Sequence, residues 1–239
     1  MPVSSSKLES APHPSTTLHE LVKKQAVRRN SAAFAGDQAT IGYDCTMSLT
    51  LKKALSASLP WFKADALTSL ATCFVHYKID KGEILLPEGC KFAEVFLIAR
   101  GVLRLYFTRR DGREFNKNFY AENEMVLPVT AKMESDPSLF GIASLETGVV
   151  WRAPINDFRD RLKRHDQWTE LQRKALALML TNKIQREHDL LALNGRQRYQ
   201  QFLRDHPGLA ARIPLSQLAT YLGVTDVSLS RIRRSLRKP

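Results

Sequence analysis

The spacing of apolar residues changes period along the chain, and each change predicts a different kind of element. Between Ser48 and Leu59 the leucines Leu51, Leu55 and Leu59 recur every four residues. Leu67, Leu70 and Ala71 recur at helical spacing within Lys63–Cys73, so two short helices are expected. From Phe74 the period becomes that of strands. Short apolar runs occur at Phe74–Ile79, Glu83–Leu86, Glu94–Ala99, Val102–Thr108, Glu114–Tyr120, Leu139–Leu145 and Val149–Arg152. Turn signals such as Asp80-Lys81-Gly82, Glu88-Gly89 and Thr147-Gly148 separate them. Regular short strands at this spacing predict an antiparallel barrel, roll or sandwich. Asp111-Gly112, inside Arg109–Arg113, is the clearest hairpin tip.

Helical spacing returns at Ile155–Phe158, and a longer helix is expected from about Gln167 to Leu193. Leu176, Met179, Leu180, Ile184, Leu190 and Leu191 fall on one wide stripe, with Leu171 and Leu178 off it. The stripe is wide enough to serve both the strand domain and a partner helix. Lys183 and Glu187 lie within it, placed to pair across a two-fold axis or to loosen that end. Asn194-Gly195 is expected to end the helix through a left-handed cap. A further helix covers Arg196–Arg204, and His206-Pro207-Gly208 breaks it. At the other end, residues 1–17 are rich in Ser, Pro and Thr and are expected to be disordered. Leu18–Arg29 reads as a short basic helix, and Met47 as an alternative start.

The C-terminal stretch Ile213–Leu236 constrains many positions at once. It reads as two helices, the first over Leu215–Leu222 with Leu215, Leu218, Ala219 and Leu222 inward. Pro214 precedes it, where a missing N–H does no harm. Ala219 is small where a second helix must cross. Gly223 suits a tight turn with positive φ. Val224 plugs the space between the helices, and Thr225 or Asp226 caps the second one. Leu229, Ile232 and Leu236 then face inward. Val227, Ser228, Ser230, Arg231, Arg233 and Arg234 remain outward. Arginine is the best side chain for bidentate contact to guanine in a major groove, and serines reach bases or phosphates. This is a helix-turn-helix, with Ser216, Gln217, Thr225 and Asp226 completing the set of expected DNA contacts.

Charge agrees with that reading. The 239-residue chain is 44% apolar and carries a net charge of +12. From Asn194 to Pro239 nine basic side chains oppose two acidic ones, so +7 of the +12 sits in the last fifth of the chain. That is the footprint of a nucleic-acid binder, although a merely solvated basic face has the same composition. Cys45, Cys73 and Cys90 are few, odd in number and widely spaced, which suits a reducing cytoplasm rather than a disulfide framework. No apolar run approaches a membrane span or a signal peptide.

From about Ser48 onward the chain resembles the Crp/Fnr family of bacterial transcription regulators. Two segments carry the likeness. Ile79-Asp-Lys-Gly-Glu-Ile-Leu-Leu-Pro-Glu-Gly89, followed by Val95-Phe-Leu-Ile98 and Gly101, is similar to the opening of the family's cyclic-nucleotide-binding-like roll. Gly223-Val-Thr-Asp-Val-Ser-Leu-Ser-Arg231 is similar to its recognition turn and helix. The resemblance implies an α+β chain with an antiparallel, jelly-roll-like β-roll as sensor domain, a long dimerisation helix and a small helix-turn-helix domain. The expected divisions are a flexible extension over 1–47, the roll with flanking helices over 48–166, the dimerisation helix over 167–193 and the reader over 194–239. Dimerisation is expected through Leu176, Met179, Leu180, Ile184 and Leu191. Implied partners are double-stranded DNA, a second copy, RNA polymerase and an unidentified small-molecule effector. The chain stops three residues after Leu236, so at most a reduced wing, from Gly208–Ile213, is expected.

Departures from the family are informative. Its cyclic-AMP binders carry a Gly-Glu-Leu cassette followed by Arg-Ser or Arg-Thr, in which the Arg neutralises the cyclic phosphate. Here the stretch is Glu122–Pro137, and Ser138-Leu139 stands where the Arg-Ser pair belongs. A buried phosphate without Arg is poorly compensated. Lys132 is the one available substitute, and usual cyclic-AMP binding is not expected. A four-cysteine iron–sulfur site cannot be built from three cysteines. Cys73 is expected in the core, and His76 as a half-exposed strand residue. The six histidines form no ligand-like spacing, so no metal or other cofactor is expected. Where many family members place a Glu that reads cytosine, this chain has Val227, which suits a thymine methyl. Two other classes compete. An enzyme would need a nucleophile–base pair, a metal cluster or a phosphate-cradling loop, and none is found. A cyclic-nucleotide-responsive module working through protein contacts would not need an intact helix-turn-helix.

Overall fold

The computed structural model describes residues 45–237. The expected helix Leu18–Arg29 and all but the last residues of the 1–47 extension lie outside them. Helices α1 (Cys45–Ser58) and α2 (Ala64–Ala71) come first, with α1 starting before the expected Ser48 and running through Met47. Eight strands follow: β1 (Val75–Ile79), β2 (Ile84–Leu86), β3 (Glu94–Arg100), β4 (Leu103–Thr108), β5 (Glu114–Tyr120), β6 (Met125–Val126), β7 (Gly141–Ser144) and β8 (Gly148–Pro154). A short helix α3 (Ala131–Ser135) separates β6 from β7. The chain then runs through α4 (Ile155–Arg164), α5 (Trp168–Ala192), α6 (Gly195–Asp205), α7 (Leu209–Arg212), α8 (Leu215–Leu222) and α9 (Asp226–Arg237).

The strands form two antiparallel sheets, ordered β1-β8-β3-β6 and β2-β7-β4-β5. Between them lies an inner core that includes Ile79, Phe92, Phe96, Ile98, Leu103, Leu105, Ile142 and Val150. The outer face of the first sheet is covered by α1, α2, α4 and the start of α5. There Leu51, Leu55, Leu70, Phe158, Leu162 and Trp168 pack on Val95, Leu97, Trp151 and Ala153. Strand β3 is therefore buried on both faces, which is why Val95–Ile98 reads as an unbroken apolar run rather than an alternating one. Each side chain buried this fully contributes roughly 1.5–3 kcal/mol. This is the jelly-roll-like architecture expected from the strand spacing and the resemblance.

Several local expectations need correction. The expected strand Leu139–Leu145 begins only at Gly141, and Leu139 is 83% exposed. Asn194-Gly195 does not close α5 with a left-handed turn. Asn194 is extended, with φ −76° and ψ 168°, and caps α6 instead. Its side chain accepts from the Gln197 N–H at 3.0 Å, while the Gln197 side chain accepts from the Asn194 N–H at 2.9 Å. This is a capping box, for which Asn is as well suited as for a C-terminal cap. Gly208–Ile213 is not a wing. Leu209, Ala210 and Ile213 are buried, and that apolar spacing folds the segment into the helical turn α7. Strand β6 and helix α3 had no sequence signal, because two and five residues are too few to show a period.

A third core has no counterpart in the expected division at 193/194. Tyr199, Phe202, Leu209, Ala210, Ile213, Leu218, Ala219, Leu222 and Leu229 from the C-terminal helices close around Val102, Phe119 and Leu145 from the roll. In contrast, only Trp168 and Leu171 of α5 are buried.

Candidate nucleic-acid interface

The turn between α8 and α9 is built as the sequence requires. Gly223 adopts φ +66° and ψ 38°, and its N–H and that of Val224 return to the last turn of α8. Ala219 has no exposed surface, so the helices cross closely over it. Thr225, rather than Asp226, caps α9: its hydroxyl oxygen accepts from the Ser228 N–H at 3.2 Å. Leu229 is fully buried, with Ile232 and Leu236 packed beside it.

Seven of the expected contacts share the open face of α9. Thr225, Asp226, Val227, Ser228, Ser230, Arg231 and Arg234 are all exposed, Val227 at 60%. Ser216 is exposed on α8. Two expected contacts are engaged elsewhere. Arg233 is half-buried and donates to the Tyr199 hydroxyl at 3.1 Å. Gln217 turns into the roll: its side-chain oxygen accepts from Asn116 Nδ2 at 2.8 Å and from Arg104 Nη1 at 3.2 Å. The reason is helical geometry. Gln217 lies about 100° around α8 from Ser216 and shares its face with Thr220, which also meets Asn116.

Other arginines in the basic segment are structural. Arg198 donates to the carbonyls of Leu193 and Leu222 at 2.5 and 2.8 Å. Arg186, on α5, stacks 4.0 Å over the Tyr221 ring and donates to the Tyr221 carbonyl. Together they satisfy the last carbonyls of α8, which a buried helix end otherwise leaves orphaned. Arg212 clamps two roll carboxylates. It donates to both oxygens of Glu122 at 2.7 and 2.8 Å and to Glu146 at 2.5 Å. Hydrogen bonds from Arg212, assisted by one from the Gly101 N–H, hold the Glu122 carboxyl down at about 2. Among the described arginines of this segment, Arg196, Arg204, Arg231 and Arg234 are exposed, the last two on α9.

The roll has its own internal charge. Arg152, on the same face of β8 as Val150, is 1% exposed, ion-paired with Glu94 and 4.8 Å from the Tyr77 ring. Lys132, the expected substitute for a phosphate-binding Arg, lies on the solvent side of α3, 3.9 Å from Asp136, with its side chain 86% exposed. Ser138 is buried and donates to the Phe140 carbonyl. Cys73 is buried as expected, and burial pushes its thiol up to about 11. His76 is half-buried, edge-on to Trp151. Among the described residues no group of three His, Cys, Asp or Glu side chains is placed to hold a metal ion, and no helix is long and apolar enough to cross a membrane.

On α5 the expected dimerisation residues are uncovered. Leu176, Met179, Leu180, Ile184 and Leu191 are 40–82% exposed.

The chain thus combines a two-sheet roll, a long helix with an open apolar stripe and a helix-turn-helix with an open basic face. No family model matches the chain, and no curated protein matches it in sequence. Solved structures do match its fold. FixK2 from Bradyrhizobium japonicum superposes with a TM-score of 0.61 at 18% identity, over 68% of this chain and 84% of that one. A CooA mutant from Carboxydothermus hydrogenoformans gives 0.58 at 18% identity, over 77% and 84%. CLP of Xanthomonas campestris, described as a c-di-GMP-responsive global regulator, gives 0.57 at 13% identity, over 73% and 92%. The chain therefore shares the fold of the Crp/Fnr-type regulators that its sequence resembles.

Proposed function

We propose that this protein is a sequence-specific, DNA-binding transcription regulator of the Crp/Fnr type, working as a homodimer in the bacterial cytoplasm. The observation that carries this reading is the outward face of α9. Arg231 and Arg234 stand exposed beside Ser228, Ser230 and Val227, while the other side of the same helix is sealed by Leu229. A helix so presented enters a major groove with its N-terminal residues on base edges and its later arginines on phosphates. Two copies joined along α5 would present two such helices to a roughly palindromic operator about one DNA turn apart. Val227 favours a half-site with a thymine methyl. RNA polymerase would be the downstream partner.

Control is assigned to the roll, by an effector other than cyclic AMP held in the usual way. Lys132 faces solvent, Ser138-Leu139 supplies no cation, and the buried Arg152 is already neutralised by Glu94. No catalytic role is assigned.

The test is duplex binding followed by fluorescence anisotropy across a salt series. The expected result is tight binding to random duplex at low salt that weakens steeply with ionic strength. Arg231→Ala/Arg234→Ala should abolish it. Binding that is absent at low salt, or unchanged in the double variant, overturns the reading. Sequencing of genomic fragments captured by the tagged protein should return symmetric half-sites.

A further inference from the structure

We propose that strand β5 is the joint through which the roll sets the orientation of the DNA reader, with Asn116 as its positioning residue. This deepens the DNA-binding reading and rests on it for its function, though not for its geometry.

The argument begins with a break in alternation. In a regular strand, residues 116 and 119 point to opposite faces, because side chains alternate with period two. Here both point to the reader. Asn116 meets Gln217 and Thr220, and Phe119 packs edge-on against Phe202 and 5.2 Å from the Tyr221 ring. The register with β4 explains this: Tyr106 pairs with Asn116 but Leu105 pairs with Asn118, which leaves Lys117 as an extra residue. A one-residue bulge re-aims the side chain beside it. Without the bulge, Lys117 would occupy the place where Asn116 now enters the interface.

Asn116 is 5% exposed and densely bonded. Its Nδ2 donates to the Gln217 carbonyl and the Gln217 side-chain oxygen at 2.8 Å each, and to the Thr220 hydroxyl at 3.0 Å. Its Oδ1 accepts from Arg104 Nη1 at 3.3 Å. Arg104 donates in turn to Gln217 and is held by Glu114 at 2.6 Å and by the Tyr106 ring. A buried amide with this many directional partners accepts one orientation of α8 and penalises others, since a misplaced helix leaves several buried polar groups unsatisfied. The apolar contacts of Phe119 alone would tolerate sliding. The opposite face of the same strand contributes Tyr120 to the inner core of the roll. One strand thus touches the roll's interior and α8, the first helix of the helix-turn-helix, and a shift in one is felt in the other.

The test uses the full chain with Asn116→Leu, which keeps bulk but removes the hydrogen bonds. Asn116→Leu/Gln217→Leu serves as the stability control, because removing the Gln217 side-chain amide together with its partner costs less than orphaning it. Spin labels at positions 110 and 230, introduced as unnatural amino acids and diluted with unlabelled protein, report the roll-to-reader distance without DNA. The expected result is one narrow distance in the parent and a broad distribution in both variants, since apolar contacts alone do not fix the orientation of α8. On DNA, the parent should lose roughly tenfold in affinity when one base pair is added between half-sites. Asn116→Leu should lose that discrimination while keeping its affinity for an isolated half-site. An unchanged distance distribution, or an unchanged spacing preference, overturns the proposal. If the parent binds no duplex at all, the DNA-binding reading fails, and the label distances still decide the joint.

Discussion

A Cβ placed on Gly195 would stand 2.8 Å from Cγ1 of Val224 and 3.5 Å from Cδ1 of Ile232. The first turn of α6 is therefore pressed against the turn of the helix-turn-helix, with no room for even a methyl group. Gly195→Ala is expected to cost about 1–3 kcal/mol through overpacking, read from urea unfolding. Val224→Ala in the same chain should recover part of that loss. The double-mutant cycle then reports the contact itself, and strict additivity would show that the two residues do not press on each other.

The clamp at Arg212 should respond to acid with a definite sign. Glu122 titrates at about 2 instead of 4.5, so its ionised form is the one the folded state favours. Its stabilisation is fully present above about pH 4.5 and is lost as pH falls towards 2. Glu122→Gln is expected to destabilise by roughly 1 kcal/mol at neutral pH, a modest figure because about a third of each side chain meets solvent. The gap between the parent and Glu122→Gln should narrow steadily on acidification below pH 4.5. A gap that widens would contradict the assigned ion pair.

Self-association should depend on the centre of the α5 stripe. Ile184→Asp, which places a charge on a side chain 60% exposed in the single chain, should leave the fold intact and yield monomers in sedimentation velocity. Lys183→Glu should weaken the dimer, and Lys183→Glu/Glu187→Lys should restore it if the two charges face each other across the axis. A dimer indifferent to all three would place the interface elsewhere.

Cyclic AMP should produce no micromolar binding isotherm by calorimetry. The phosphate would meet Ser138 and Leu139 instead of an arginine. Micromolar binding that survives Lys132→Ala would show that the roll neutralises the phosphate by another route.

What could be read from the chain, and what could not, follows from the range of the interactions. The helix-turn-helix was legible because Ala219, Gly223, Thr225 and Leu229 are each constrained by neighbours a few residues away. The roll was legible as short strands because its turns are local. The seating of the reader on the roll was not, since Asn116 and Gln217 are 101 residues apart and the bulge that joins them leaves no trace in periodicity. Gln217 looked outward because only its own helix was visible. Asn194 was misassigned for a different reason: the same residue type suits both helix ends, and only the backbone angles separate them. Arg152 gave no warning either, because a lone arginine in a strand reads as a surface position until its carboxylate partner is seen.

The shared third core bears on how such a protein could be recombined. Val102, Phe119 and Leu145 of the roll fill space among Phe202, Leu218 and Leu222, so the last forty-odd residues do not carry a complete interior of their own. Grafted onto another roll, the helix-turn-helix would arrive with a hole in its packing and a stranded arginine at position 212. A working chimera would have to carry β4, β5 and the Glu146 turn along with it. The transferable unit is the helix-turn-helix together with its seat, and its natural seam lies inside the roll rather than at the end of the long helix.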